Sequence, residues 1–201
     1  GVNCLVVGDY QIGELMSNDK RVPLVSATGS IRMGKKVGEA VGRRLGKTIL
    51  ELGGNNAIII TPNADFKIAV PGIVFGAVGT CGQRCTSTRR LIIHESVYDQ
   101  VKDVISKAYK QIRIGDPLDA NNHVGPLIDT DAVDTYLAAL DKIKQSGGTF
   151  AVEGGKLEGA GYESGCYVKP AIAEVENEWE IVQDETFAPI LSLMKSSTFD
   201  E

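Results

Sequence analysis

Two cysteines in a short polar stretch are the first feature of this sequence that could carry chemistry. Cys81 and Cys85 lie in residues 79–86, where small, turn-forming residues follow an apolar run. A thiolate is a strong nucleophile, and a loop of backbone N–H groups beside a cation such as Arg84 favours the thiolate form. The stretch predicts a reactive cysteine; the alternative is that both thiols are buried and only fill space.

A metal site is a third interpretation of the same stretch. The pair would need two more ligands, and the remaining candidates, His94, His123, Cys4 and Cys166, are scattered along the chain. Structural zinc sites draw their ligands from closely spaced pairs. We therefore predict that no metal is bound.

A carboxylate follows an apolar run further upstream. Glu51 stands at the end of a predicted strand and is followed by Leu52, Gly53 and Gly54. A carboxylate partly removed from water at a strand end is more basic, as a general base near neutral pH must be. The alternative is a solvated strand terminus with no chemical role.

Two further segments have residue types that suit a nucleotide cofactor. Residues 26–30 pass from a predicted strand into a helix, where free backbone N–H groups bind anions, although Ser30 or Thr28 could simply cap that helix. Near the end of the chain, Glu185 stands two residues before Phe187. An acid can bind ribose hydroxyls, and an aromatic ring can pack on a flat heterocycle. The alternative for Phe187 is that its ring is buried in the hydrophobic core.

The elements that must position these residues alternate between strand and helix patterns. Strands are predicted at residues 2–8, 22–27, 48–52, 57–61, 90–94, 149–152, 167–174 and 190–194. Helices are predicted at residues 10–16 and 30–45, from an N-cap at Ser96 to Ile112, and through residues 133–143. This alternation predicts an α/β fold with a largely parallel sheet.

Glycines recur every fourth residue in the second of these helices, at Gly34, Gly38, Gly42 and Gly46. Each costs about 1 kcal/mol relative to alanine in a helix interior, so something should offset them. Glycines on one face let the helix backbone approach a neighbour closely. We predict close packing there, with direct contact to a ligand as the alternative.

Composition excludes several classes of protein. The chain has 201 residues, a net charge of −5, 43% hydrophobic residues and 23% charged residues, as is usual for a folded globular protein. It lacks the basic stretches that bind nucleic acid and any apolar run of the ~20 residues that cross a membrane. We therefore expect no nucleic-acid or membrane partner, and a cytoplasmic protein with reduced thiols. The absence of an initial Met suggests a piece of something longer.

Taken in order, the motifs resemble those of the NAD(P)-dependent aldehyde dehydrogenase superfamily. The resemblance rests on Thr28-Gly29-Ser30, on the Glu-Leu-Gly-Gly segment that begins at Glu51, on the Gly-Gln-Arg-Cys segment that ends at Cys85, and on Glu-Thr-Phe-Ala-Pro near the C-terminus. The form Glu-Leu-Gly-Gly-Asn-Asn, where most of the superfamily has Lys after the glycines, resembles the antiquitin branch. That branch is associated with oxidation of α-aminoadipic semialdehyde in lysine catabolism.

The resemblance implies roles for individual residues. Cys85 would be the nucleophile and Glu51 would activate the water that hydrolyses the resulting thioester, and the two would face each other across the substrate. The backbone N–H of Cys85 would form half of the oxyanion hole. Arg84 would bind the carboxylate end of an acidic semialdehyde.

The resemblance also implies a cofactor and its contacts. The cofactor would be NAD, with NADP as the alternative. Gly29, Ser30, Leu52, Glu185 and Phe187 would bind it.

The same resemblance predicts the organisation of the chain. Residues 1–50 would be the C-terminal part of a Rossmann-type NAD-binding domain, and residues 51–201 most of an α/β catalytic domain that is incomplete at its C-terminus. The full-length protein would be a homo-oligomer, a homotetramer, and the isolated fragment would be inactive. Two alternatives stay open: an aldehyde dehydrogenase for another small or aromatic aldehyde, and a folded scaffold or oligomerisation module without turnover.

Overall fold

The computed structural model describes residues 3–198, which contain both helices and strands along their whole length. The chain divides into two units, Gly1–Gly53 and Gly54–Glu201, and each builds its own sheet. The predicted α/β class is confirmed.

The first unit alternates two helices with two parallel strands. Its elements are α1 (Tyr10–Asn18), β1 (Leu24–Thr28), α2 (Ile31–Arg43) and β2 (Lys47–Glu51). Asp9 caps α1 and Ser30 caps α2, each through a side-chain oxygen that accepts a backbone N–H of the first turn. Capping thus places the start of α2 directly after the turn that leaves β1.

Glycine in α2 permits close packing at one position in particular. A Cβ at Gly34 would lie 2.5 Å from the side-chain methyls of Leu52, whereas a Cβ at Gly42 would meet nothing within 4 Å. The predicted close packing therefore exists at Gly34 and not along the whole row of glycines. The side chain that fills the space is Leu52, just beyond β2.

Large apolar side chains of the first unit remain exposed. Val41 is its one fully buried apolar residue within the described part of the chain. The exposed ones include Leu5, Val6, Val7, Tyr10, Leu15, Met16, Leu24, Ile31, Leu45 and Ile49. Apolar surface of this extent is typical of a face that packs on further protein.

The second unit contains the larger sheet and most of the core. Its elements, in chain order, are β3 (Asn56–Ile60), α3 (Phe66–Val78), β4 (Thr88–His94), α4 (Tyr98–Tyr109), α5 (Thr130–Gln145), β5 (Thr149–Val152), β6 (Gly155–Lys156), β7 (Val168–Lys169), β8 (Ala171–Glu174), α6 (Glu180–Gln183) and β9 (Ile190–Ser196).

Five of these strands form one sheet in the order β3-β4-β9-β8-β5. The first four run parallel to one another, and β5 pairs antiparallel with β8 at one edge. The predicted largely parallel sheet is therefore confirmed. Strands of a parallel sheet covered on both faces are continuously apolar, and Leu91 and Ile93 of β4 with Leu191 and Leu193 of β9 are fully buried.

Helices cover this sheet with apolar stripes at helical spacing. In α4 the buried residues are Tyr98, Val101, Ile105 and Tyr109, and in α5 they are Val133, Tyr136, Ala139, Leu140 and Ile143. All of them join one core cluster with the strands. The helices and strands of the second unit therefore share one hydrophobic core.

Several predicted elements differ from the structure. Residues 3–8 are not a strand, although they are apolar, because the residues described there pair with no other strand; Val2 lies outside the described residues. Ser96 does not cap α4, because a 3-10 turn, Glu95–Val97, precedes that helix. The predicted strand at 167–174 is split into β7 and β8 by Pro170, which has no N–H to donate. The short α6 was not predicted.

No helix among residues 3–198 is both long and apolar enough to cross a membrane.

Candidate active site

Glu51 and the turn after β1 lie at the same edge of the first unit's sheet. The two strands are parallel and in register, so Glu51, the last residue of β2, pairs with Thr28, the last of β1. The backbone N–H of Gly29 donates to the carbonyl of Glu51 at 3.0 Å, and the Glu51 side chain is exposed. Ligands of α/β proteins bind at such carboxyl ends of parallel strands.

The other two predicted residues of this unit have structural contacts as well. The Ser30 hydroxyl accepts the backbone N–H of Met33 at 3.1 Å, so it caps α2. Leu52 is half-buried and packs at Gly34. Their cofactor roles stay predictions.

The two cysteines of the second unit have opposite surroundings. Cys81 is 1% exposed, and burial raises its pKa to about 12, so its thiol is protonated at neutral pH. Cys85 is exposed. A thiolate is the reactive form and must be reached by substrate, which leaves Cys85 as the candidate nucleophile of the pair. Cys81 is a packing residue, so the alternative given for both thiols holds for Cys81 and not for Cys85.

An unusual backbone path leads to Cys85. Thr80, Cys81 and Gly82 have φ values of 54°, 53° and 68°, a left-handed conformation that residues with a Cβ rarely adopt. A Cβ at Gly82 would lie 2.6 Å from the carbonyl carbon of Ala188. Three successive residues in this conformation turn the chain sharply between α3 and β4. Strain of this kind is concentrated at functional sites.

Side-chain amides hold the loop around Cys85. Asn56 Nδ2 donates to the carbonyl oxygens of Cys85 at 2.7 Å and Ser87 at 3.0 Å. Gln83 donates through Nε2 to the carbonyl of Pro126 at 3.3 Å and accepts the N–H of Ile128 through Oε1 at 2.9 Å. The loop is thereby anchored to the start of β3 on one side and to the segment before α5 on the other.

Arg84 turns back onto the end of α3. Its guanidinium lies 4.9 Å from the centre of the Phe75 ring and donates to the Phe75 carbonyl at 3.2 Å. Its Nε is buried and has no hydrogen-bond partner among the described residues. The guanidinium thus satisfies a carbonyl near the helix C-terminus, a contact that the sequence did not indicate.

Glu185 and Phe187 meet at a buried arginine. Glu185 Oε1 accepts from Arg89 and from the backbone N–H of Gly54, each at 3.2 Å. Both hydrogen bonds found for this carboxylate within residues 3–198 end on Oε1, which leaves Oε2 to accept from a ligand. Phe187 is 41% exposed, has a φ of 57°, and lies 5.3 Å from the Arg89 guanidinium.

The structure therefore gathers the predicted residues into two groups, one in each unit. Within the first unit, Gly29, Ser30, Glu51 and Leu52 lie around one pair of strand ends. Within the second, the loop of Arg84 and Cys85 shares Arg89 with Glu185 and Phe187.

Sequence reasoning missed Arg89 and Asn56. The available signal for Arg89 was a pair of arginines inside a strand that is otherwise apolar, because a charge in such a place must be paired. Asn56 gave no comparable signal, since its contacts join segments that are distant in the chain. Within residues 3–198, no three His, Cys, Asp or Glu side chains are grouped as a metal site requires.

A family model and the sequences of individual relatives point to the same protein family. The model of the aldehyde dehydrogenase family matches residues 1–201. A putative aldehyde dehydrogenase family 7 member A1 homologue of Caenorhabditis elegans is 49% identical over 200 residues, which are 98% of this chain and 37% of that protein. The α-aminoadipic semialdehyde dehydrogenase of Bos taurus is 47% identical over 198 residues, which are 98% of this chain and 36% of that protein.

A solved structure has the same fold. The crystal structure of betaine aldehyde dehydrogenase from Staphylococcus aureus in complex with NAD+ has a TM-score of 0.91 and 31% identity, and the match covers 96% of this chain and 39% of that one. The chain thus spans a little over a third of the length of the relatives it matches.

Proposed function

The chain belongs to the aldehyde dehydrogenase family, and from that membership we propose that the full-length protein oxidises an aldehyde to a carboxylate with NAD as the acceptor. The observation that carries this proposal is the contrast between the two cysteines. Cys85 is exposed on an anchored loop that shares a buried arginine with Glu185, while Cys81 is buried and protonated. Only Cys85 of this pair can act as a nucleophile.

The reaction begins at the Cys85 thiolate. The sulfur adds to the carbonyl carbon, a C–S bond forms, and the carbonyl electron pair moves to oxygen. The backbone N–H of Cys85 donates to that oxyanion and lowers the energy of its formation. Hydride acceptance is the chemistry that NAD supplies when bound, as the C–H bond of the adduct breaks and the C=O bond re-forms, and Cys85 then holds the acyl group as a thioester.

Glu51 completes the turnover. Its carboxylate takes a proton from water as the water oxygen adds to the thioester carbon, and the C–S bond then breaks. The products are the carboxylic acid and the Cys85 thiolate, and Glu51 returns the proton it took to solvent. Glu51 is exposed rather than partly removed from water, so the support for this role is its place at the carboxyl end of β2, where ligands of α/β proteins bind.

The described residues fit the proposed cofactor. In the second unit, the free Oε2 of Glu185 can accept from ribose hydroxyls and the exposed ring of Phe187 can pack on a nicotinamide. In the first unit, the strand–turn–helix at Gly29 and Ser30 presents helix N–H groups to a phosphate. The parallel strands and exposed apolar faces of this unit support its assignment to part of an NAD-binding domain.

For the substrate, we propose α-aminoadipic semialdehyde. Relatives of that name and of aldehyde dehydrogenase family 7 support it, and Arg84 would bind the carboxylate end of the substrate. The contact of Arg84 with Phe75 favours the second candidate, another small or aromatic aldehyde, because the guanidinium must leave the helix end before it can bind a substrate carboxylate.

Formation of NADH at 340 nm tests the proposed function. The full-length protein should reduce NAD in the presence of the semialdehyde, and Cys85→Ala should abolish the signal. Cys166→Ala is the matched control and should keep it, since Cys166 lies in a different loop. No NADH from the unsubstituted protein with any of a panel of aldehydes would favour a scaffold without turnover.

A further inference from the structure

Arg89 makes an unusually large number of hydrogen bonds for one buried side chain. It lies on β4, and its side chain is 6% exposed. It donates to the carbonyls of Gly54 at 3.3 Å, Gly82 at 3.1 Å and Arg84 at 3.1 Å, and to that of Ala188 at 3.5 Å. It also forms an ion pair with Glu185 at 3.2 Å.

These acceptors come from three separate segments of the second unit. Gly54 precedes β3, Gly82 and Arg84 belong to the loop that carries Cys85, and Glu185 and Ala188 belong to the turn before β9. A planar guanidinium has five N–H donors in a fixed fork, so its hydrogen bonds set the directions of its partners. One side chain therefore fixes the three segments relative to one another.

The electrostatic surroundings agree with this arrangement. Burial lowers the pKa of Arg89, and the negative charges of Glu185 and of the Cys85 thiolate act against that lowering. The guanidinium is thus paired with the candidate ribose-binding acid and is bonded to the carbonyl of Arg84, the residue just before the candidate nucleophile. Phe187 packs on the same group at 5.3 Å.

We infer that Arg89 is a positioning residue, which holds the Cys85 loop and the Glu185–Ala188 turn in the one arrangement in which thiol and cofactor meet. The inference rests on the proposed function and adds a residue that touches neither the aldehyde nor its reacting atoms. Arg89 acts through the carbonyls of Gly82 and Arg84, which precede the nucleophile, and through the carboxylate of Glu185.

The variant that isolates this role is Arg89→Lys. Lysine keeps the positive charge near Cys85, but its single nitrogen cannot reach acceptors on three segments at once. The matched control is Arg113→Lys in an exposed loop, where the guanidinium also donates to a backbone carbonyl, that of Asn121. Both substitutions are made in the full-length protein.

Amide hydrogen exchange tests the anchoring without any reference to catalysis. In Arg89→Lys we expect residues 82–88, where the backbone N–H groups of Gln83, Arg84 and Ser87 donate hydrogen bonds, to exchange at least tenfold faster, while the buried strand β9 beyond Ile190 keeps its protection. Arg113→Lys should leave residues 82–88 unchanged. Unchanged exchange in Arg89→Lys would overturn the inference.

Kinetics then distinguish positioning from general damage. Iodoacetamide is small and reaches an exposed thiol from many directions, so alkylation of Cys85, followed by mass spectrometry, should stay within about threefold in Arg89→Lys. The kcat should fall at least tenfold and the KM for NAD should rise, because thiol and cofactor are no longer aligned. A kcat that is unchanged, or that falls only in proportion to alkylation, would overturn the inference.

Two results of these experiments would call for a different measurement. If the unsubstituted protein oxidises no aldehyde, the proposed function fails, and the anchoring is decided by hydrogen exchange alone. If Arg89→Lys does not fold, Glu185→Gln removes the same ion pair from the other end. Glu185→Gln should speed amide hydrogen exchange at residues 82–88, which are far from Glu185 in sequence. Unchanged exchange at those residues would overturn the inference.

Discussion

Gly82→Ala would test whether the backbone path to Cys85 depends on a residue without a side chain. Gly82 has a φ of 68°. A Cβ there would lie 2.6 Å from the carbonyl carbon of Ala188, 2.7 Å from its oxygen and 2.8 Å from the nitrogen of Pro189. All three atoms are backbone, so no side chain can rotate away. The turn before β9 must move instead.

The expected loss of stability has two parts. A left-handed conformation costs an alanine about 1–2 kcal/mol. Overpacking against backbone adds about 1–3 kcal/mol. Together they predict a loss of about 2–5 kcal/mol in the free energy of unfolding. The shift of Ala188 would also disturb the hydrogen bonds that Arg89 makes to Gly82 and Ala188.

Urea unfolding followed by circular dichroism measures this loss, and Gly161→Ala is the matched control. Gly161 has a φ of 90°, but a Cβ there would meet nothing within 4 Å. Gly161→Ala should therefore lose only the conformational part of the free energy of unfolding, about 1–2 kcal/mol. Equal losses in the two variants would refute the argument that Gly82 is required by its approach to Ala188.

Three further predictions follow from individual side chains. Cys81, whose pKa is raised to about 12 by burial, should resist iodoacetamide at pH 8 until the protein unfolds, and rapid native labelling would contradict its burial. Burial raises the pKa of Glu174, but hydrogen bonds from Tyr98 and Lys102 outweigh burial and lower the pKa overall. The stabilisation that the ionised carboxylate contributes should therefore be lost as the pH falls below about 4.5. Glu174→Gln should flatten that acid limb of the stability curve, and an unchanged limb would contradict the assignment. Arg84→Ala should raise the KM for the semialdehyde far more than for an uncharged aldehyde, and equal rises would remove Arg84 from substrate choice.

The sequence predicts four strands of the large sheet well, β3, β4, β5 and β9, because each is bounded by clear signals. Residues 149–152 match β5 at both ends, and the double glycine at 147–148 explains the end of α5 before it. Residues 3–8 show the limit of the same reasoning. Their apolar pattern fits a strand, but a strand forms only where a partner strand is present to accept its hydrogen bonds.

The candidate site was predictable in its residue types but not in its connections. Glu51, Cys85 and Glu185 stand out by chemistry and by order along the chain. The bonds that hold them, from Asn56 to Cys85 and from Arg89 to Glu185, join positions far apart in sequence. No local pattern encodes such contacts, because they depend on how the strands are ordered in the sheet.

Pre-steady-state kinetics of Glu51→Gln would test the central claim most directly. Without the carboxylate that activates water, Cys85 should still attack the aldehyde and pass its hydride to NAD, so the full-length variant should release one equivalent of NADH per active site and then stop. The peptide that contains Cys85 should carry the mass of the acyl group. Continued turnover at the normal rate, or an acyl group on another cysteine, would contradict the roles assigned to both residues.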